Sequence, residues 1–135
     1  MSVKERQERL TTGSKGEKVA ANYLLAQGYE LLEANYFNER GYQWGEIDLV
    51  VKNKQGDIIF VEVKTRKNFK TESNDDIVPE ENINNAKIRK IQKLAWMFLK
   101  ENGWEEKNWR IDAVGVIFNY VSRKIEIRHI KYIRM

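Results

Sequence analysis

Cysteine is absent from all 135 residues. Disulfides and thiolate metal ligands are therefore excluded. Histidine occurs once, at His129, which leaves little from which to build a histidine-based zinc site. Any metal has to be held mainly by carboxylates, whose oxygens suit hard cations such as Mg²⁺ or Mn²⁺. No run of about 18 apolar residues occurs, the length that a membrane-spanning helix needs. The opening stretch, MSVKERQERL, holds no apolar segment of the secretory kind. The expectation is a soluble, cytoplasmic protein with no membrane partner. Low-complexity tracts and internal repeats are also missing, and proline occurs once, at Pro79.

What remains is a globular composition, 41% hydrophobic and 33% charged. The length suits one domain with one core. Residues 1–12 read as a charged N-terminal arm and 13–135 as a single domain. The net charge of +4 is compatible with a nucleic-acid partner without requiring one. Its distribution is more telling. Lys64, Arg66, Lys67 and Lys70 cluster in one segment, and Lys87, Arg89, Lys90 and Lys93 in another.

Periodicity assigns the elements. Ser14 to Gln27 reads as a helix, with Val19, Ala20, Tyr23, Leu24 and Gln27 at three-four spacing and Gly28 at the stop position. Ser14 and Glu17 have the form of a capping box. Tyr29 to Asn35 is a strand, and Tyr36 to Trp44 a polar and aromatic loop. Glu46 to Lys52 alternates, with Ile47, Leu49 and Val51 on one face and Glu46, Asp48 and Val50 on the other. Asp57 to Thr65 alternates likewise, with Ile58, Phe60, Glu62 and Lys64 sharing a face. Arg66 to Asn82 reads as a long mobile loop. Asn84 to Asn102 is a second helix, its stripe Ile88, Ile91, Leu94, Ala95 and Phe98, and Gly103 ends it. Trp109 to Phe118 and Lys124 to Ile133 are two closing strands. The order predicts an α/β fold, a mixed sheet with helices packed on it.

The hairpin between the second and third strands is the most informative feature. Asn53-Lys54-Gln55-Gly56-Asp57 suits a type I turn whose glycine takes a left-handed bulge conformation. Asn53 then faces Asp57, which puts Asp48 opposite Glu62 and Glu46 opposite Lys64. Directly opposed side chains share a face, with Cβ atoms roughly 5 Å apart. Two carboxylates so placed repel each other, and a protein answers by protonating one or by binding a cation between them. Lys64 projects from the same face. A divalent ion between two carboxylates can bind a phosphodiester oxygen and acidify water, and a lysine beside it can orient that water and stabilise the charge that grows on phosphorus.

Gly45-Glu46-Ile47-Asp48-Leu49-Val50, followed after the hairpin by Phe60-Val61-Glu62-Val63-Lys64-Thr65-Arg66, resembles the signature of the uncharacterised bacterial YraN-like family. Gly13-Ser14-Lys15-Gly16-Glu17 with Ala20, Gly28-Tyr29, Asn35 and Arg110-Ile111-Asp112 fit the same resemblance, which covers roughly residues 13–118. That family is similar in motif to the PD-(D/E)xK nucleases, Holliday-junction resolvases among them. The proline of that motif is replaced here by Ile47. The resemblance implies a restriction-endonuclease-like fold with a central mixed sheet of about five strands flanked by helices. It implies Mg²⁺ or Mn²⁺ dependence and phosphodiester cleavage in DNA, branched or structured DNA included. By resemblance Asp48 and Glu62 are catalytic metal ligands, Glu17 a third ligand and Lys64 the catalytic lysine.

Each of these residues also has a plainer reading. Asp48 and Glu62 can be hydrated strand residues, Lys64 can pair with Glu46, and Glu17 can be only a cap. Trp44, Glu46, Arg66, Lys67, Lys87 and Lys90 are candidates for nucleic-acid contact, Lys87 favoured by its place at a helix start. Tyr42 and Trp44 are the best stacking candidates, the other tryptophans being read as packing. Arg110 and Asp112 suit a structural ion pair, and His129 reads as incidental. The alternatives to a nuclease are a non-catalytic nucleic-acid-binding module of the same fold and a protein-interaction subunit. A homodimer suits an enzyme of branched DNA, although no residue demands one.

Overall fold

Five strands hydrogen-bond to one another in their sequence order: β1 (Glu30–Tyr36), β2 (Ile47–Lys52), β3 (Ile58–Asn68), β4 (Trp109–Asn119) and β5 (Lys124–Arg134). The computed structural model describes residues 15–38, 44–71, 73–79 and 83–134. Pairing is antiparallel except between β3 and β4, which run parallel across eleven residue pairs. A parallel neighbour needs a crossover, and helix α2 (Asn85–Glu101) supplies it. Helix α1 (Lys15–Ala26) precedes β1. No helix among the described residues is long and apolar enough to cross a membrane.

The two helices cover opposite faces, as expected of a restriction-endonuclease-like α/β architecture. Ala20, Ala21 and Leu24 of α1 pack on Leu31, Leu49, Val51, Ile59, Val61, Val63, Val114 and Val116. Ile88, Ile91, Leu94, Ala95, Phe98 and Leu99 of α2 pack on Val50, Ile58, Phe60 and Ile111. The central strands are buried on both faces through residues 58–63 of β3 and 113–118 of β4, which read as nearly continuous apolar runs. The α2 stripe is the expected one with Leu99 added. The α1 stripe is rotated: Ala21 is buried whereas Gln27 is exposed. The Asn84 side chain caps α2 by accepting from the Lys87 N–H at 2.8 Å. Ser14, the proposed cap of α1, lies outside the described residues, as do the N-terminal arm, Gly13 and Tyr42.

The hairpin has the expected register. Leu49 faces Val61, Val50 faces Phe60 and Lys52 faces Ile58. Gly56 has φ +89°, its N–H donates to the Asn53 carbonyl at 3.1 Å, and Asn53 Oδ1 accepts from the Asp57 N–H at 2.8 Å.

Three expectations need correction. Ile47 packs with Val50 and α2 rather than with Leu49 and Val51. Both strands break alternation at the same place: Ala34 and its partner Leu49 pack with α1, whereas Tyr36 and its partner Ile47 turn to the α2 face, and Asn35 between them has φ +52°. Next, β3 does not end at Thr65. Parallel pairing with β4 carries it to Asn68, and a short 3₁₀ turn at Asn74–Asp76 interrupts the supposed loop. Asn68 Nδ2 donates to Asn74 Oδ1 at 2.8 Å, and Arg128 Nη2 to the Asn74 carbonyl at 2.9 Å, which ties that turn to the sheet. Lastly, Glu46 is exposed and lies before β2 rather than in it.

Candidate active site

The register brings Asp48 and Glu62 side by side where β2 begins. Asp48 Oδ2 accepts the Val63 N–H at 2.7 Å, which locks its carboxyl across the ladder. Glu62 is 3% exposed, an unusual degree of burial for a glutamate. Its Oε1 faces two ammonium groups, Lys87 Nζ at 3.3 Å and Lys64 Nζ at 3.8 Å. Its Oε2 is buried with no hydrogen-bond donor, and the Asp48 carboxyl stands within reach of sharing a proton with Glu62.

Helix α1 brings a third carboxylate. A Cβ on Gly16 would lie 1.9 Å from Thr65 Oγ1, so only glycine lets the first turn of α1 come this near to β3. Glu17, the next residue, then sits within reach of a shared proton with Asp48. The kink residue Asn35 fixes it further, its Nδ2 donating to Glu17 Oε2 at 3.1 Å. The irregularity in β1 and the close approach of α1 thus serve the same corner of the sheet.

Electrostatics show the strain of this crowding. Burial, then repulsion from Asp48, push Glu62 up to about 7, although Lys87 and Lys64 pull the other way. Burial and the Glu17 charge push Asp48 up to about 6 against the Val63 hydrogen bond. The protons belong to the pair rather than to either residue. Burial also raises Glu17, with Glu46 and Glu62 adding to the effect. Three carboxyls, of Glu17, Asp48 and Glu62, crowd together here, and of them Glu62 is paired with both ammonium groups. The donorless buried oxygen of Glu62 and the all-oxygen donor set fit a hard cation. The three carboxylates are neighbours rather than a finished cage: among the described residues no three acidic or histidine side chains converge on one point.

The other candidates spread out. Lys64 pairs with Glu62 on its own strand rather than with Glu46, which sits outside β2. Lys87, a candidate for nucleic-acid contact, places its Nζ 3.3 Å from Glu62 Oε1. Trp44 packs at the rim of the α2 core with Lys93 Nζ 5.2 Å from its ring centroid. Arg66 donates to the Thr65 carbonyl at 2.9 Å, and Lys67 and Lys90 are exposed.

A second polar cluster lies apart from the carboxylates. Arg110 grips Asp112 with two nitrogens, at 2.9 and 3.2 Å. His129, read as incidental, is a full member. Its Nε2 lies 2.8 Å from Asp112 Oδ2, and its Nδ1 lies 3.2 Å from the Tyr23 hydroxyl. Burial would raise Asp112, yet the His129 and Arg110 hydrogen bonds outweigh it and hold the pKa below normal. Burial pushes Tyr23 up, so this Tyr-His-Asp chain keeps its hydroxyl protonated and acts as a buried brace. The only signal for it in the sequence was Arg-x-Asp on one strand, since His129 is brought in from β5 by pairing at long range.

Residues 16–116 match the uncharacterised protein family UPF0102. A UPF0102 protein of Trichlorobacter lovleyi is 39% identical over 105 residues, 78% of this chain and 76% of that protein. One of Desulforamulus reducens is 34% identical over 125 residues, 92% of this chain and 95% of the relative. This chain belongs to the UPF0102 family, the YraN-like proteins. The segment that matches UPF0102 contains Glu17, Asp48, Glu62, Lys64, Lys87 and the Arg110–Asp112 pair, while His129 lies beyond it. A solved structure, that of Pyrococcus furiosus SfsA in complex with Ca²⁺, resembles this UPF0102 chain only slightly. Its TM-score is 0.32 at 16% identity, over 85% of this chain and 60% of SfsA.

Proposed function

We propose that this UPF0102 protein is a metal-dependent endonuclease that hydrolyses phosphodiester bonds in DNA, branched or otherwise structured DNA included. The observation that carries the reading is the buried Asp48–Glu62 pair with its donorless Glu62 Oε2. A protein gains nothing in stability by burying two repelling acids, and such sites cluster where chemistry is done. The resemblance of Asp48, Glu62 and Lys64 to the PD-(D/E)xK pattern supports the same reading.

Asp48 and Glu62 would hold Mg²⁺ or Mn²⁺, with Glu17 completing the set by side-chain rotation. When bound, that ion supplies Lewis acidity toward a phosphate oxygen and toward water. The chain's own groups do the rest. The Val63 N–H keeps the Asp48 carboxyl aimed into the site. Lys64 presents its ammonium beside Glu62, where it orients the attacking water and stabilises charge that builds on phosphorus. Lys87 offsets the Glu62 charge and stands at the start of α2, where backbone N–H groups favour phosphate.

The test is cleavage of labelled branched, single-stranded and duplex DNA in Mn²⁺, beside Asp48→Asn and Lys64→Ala. Loss of cleavage in both variants, with folding retained, is the expected result. Cleavage that persists in both belongs to a contaminant. A wild type that binds DNA without cutting it, and binds no divalent ion, is a non-catalytic module.

A further inference from the structure

We infer that the exposed aromatic pair Phe69–Tyr120 is a stacking platform for unpaired bases, so that the substrate carries a single-stranded segment. This rests on the nuclease reading and names its substrate class more narrowly.

The pair lies where parallel strands β3 and β4 end together, just past the last paired residues Asn68 and Asn119. The Tyr120 N–H donates to the Asn68 carbonyl at 2.8 Å, which fixes one residue beside the other strand. The rings are parallel to within 10° and 5.0 Å apart at their centroids. Phe69 is 68% exposed and Tyr120 45%. Two aromatic rings stacked in parallel and exposed to water, rather than buried, retain an open π-face and cover no core.

The surroundings select the occupant. A cavity of about 360 Å³ opens beside Tyr120, lined by Lys15, Arg123 and Lys124 with Phe118 and Ile125. Lys70 follows Phe69 directly. Among the described residues the lining of this cavity is cationic and holds no acidic side chain. Asp75 and Glu126 line an adjoining cavity that shares Asn119, Lys124 and Ile125 with it. Aromatic faces within a basic rim are the combination that single-stranded nucleic acid requires: cations follow the phosphates and the rings take bases of any sequence. An apolar protein partner would not need the cations, and a blunt duplex offers no unstacked base.

Phe69 lies five residues beyond Lys64, one past the end of β3 and about 16 Å away at the usual strand rise. The cavity beside the pair is lined by Lys15 and Phe118 on the α1 face, whereas Lys64 shares the opposite face with Phe60, so a strand bound at Lys64 reaches the pair by passing round the end of β3 and β4.

The experiment measures binding rather than cleavage, in EDTA, by anisotropy of a labelled single-stranded oligonucleotide and of a blunt duplex of the same sequence. The wild type is compared with Phe69→Ala/Tyr120→Ala and with Phe69→Leu/Tyr120→Leu, which keeps apolar bulk without a π-face. Both variants should lose at least ~10-fold in single-strand affinity and keep duplex affinity. Equal loss on both ligands, no loss, or full rescue by leucine overturns the inference while leaving the nuclease reading intact. A wild type that binds neither ligand, in EDTA or with Ca²⁺ in its place, overturns both. Self-association of the wild type that disappears in the alanine variant assigns the pair to a protein interface and overturns the platform.

Discussion

Replacing Glu62 by glutamine should stabilise the ion-free protein. The folded chain holds its site protons more tightly than the unfolded chain, because burial and Asp48 raise Glu62 from 4.5 to about 7. A carboxyl whose pKa rises on folding contributes its full stability below the unfolded value and loses it as pH climbs to the folded one. Wild-type stability should therefore fall between about pH 4.5 and pH 7 and then level off. At 1.36 kcal/mol per pH unit the full window is worth roughly 3 kcal/mol, and sharing of protons with Asp48 and loss of the lysine pairs reduce it to about 2 kcal/mol. Glu62→Gln removes the ionisation and keeps the shape. At pH 8 its melting temperature should exceed that of the wild type by about 6–10 °C, and at pH 4 the two should coincide. Saturating Mn²⁺ should reverse the order, since about 100-fold excess over Kd adds roughly 2.7 kcal/mol to the protein that binds it. The assay is thermal unfolding by circular dichroism across pH in EDTA and in Mn²⁺. A flat wild-type profile from pH 4 to 8, or a variant no more stable than wild type at pH 8, would refute the reasoning.

Other outcomes follow from the same geometry. Gly16→Ala should destabilise by about 1–3 kcal/mol because its methyl meets Thr65 Oγ1, and adding Thr65→Ala should recover most of that in urea unfolding. Asp112→Asn should cost about 3–5 kcal/mol, since it leaves Arg110 and His129 buried without their anion; residual folded protein should still bind Mn²⁺, as calorimetry can show. In wild type the Asp112 pair should weaken only in acid below the normal carboxylate range, because its pKa is lowered. Lys64→Ala should cut turnover by 100-fold or more while leaving the urea midpoint nearly unchanged, because the 3.8 Å pair with Glu62 is partly exposed.

What could be read without coordinates was local. Asn53 to Asp57 defines the turn by short-range chemistry, and the turn alone determines that Asp48 stands beside Glu62. The α2 stripe was equally plain, because its apolar residues recur at three-four spacing through the whole helix. The errors share a cause in contacts distant in sequence. Asn35 turns left-handed where its amide meets Glu17 of α1, and beside it Tyr36 and its partner Ile47 turn to the other face. Strand β3 outran its alternation because β4 pairs with it to Asn119, so charged residues such as Arg66 and Lys67 stay in a strand that composition marks as loop. His129 reaches Asp112 only through β4–β5 pairing, and nothing beside it in the chain announces that partner. Lys87 reads from sequence as a favoured nucleic-acid contact at a helix start, and only the packing of α2 sets it against Glu62.

The most direct test of the central claim is anomalous diffraction from a crystal soaked in Mn²⁺. One peak bridging β2 and β3, with Asp48 and Glu62 oxygens at about 2.0–2.2 Å, is the result the account requires. A crystal that shows no such peak, with Glu62 still held by Lys87 and Lys64 as in the ion-free protein, would contradict it.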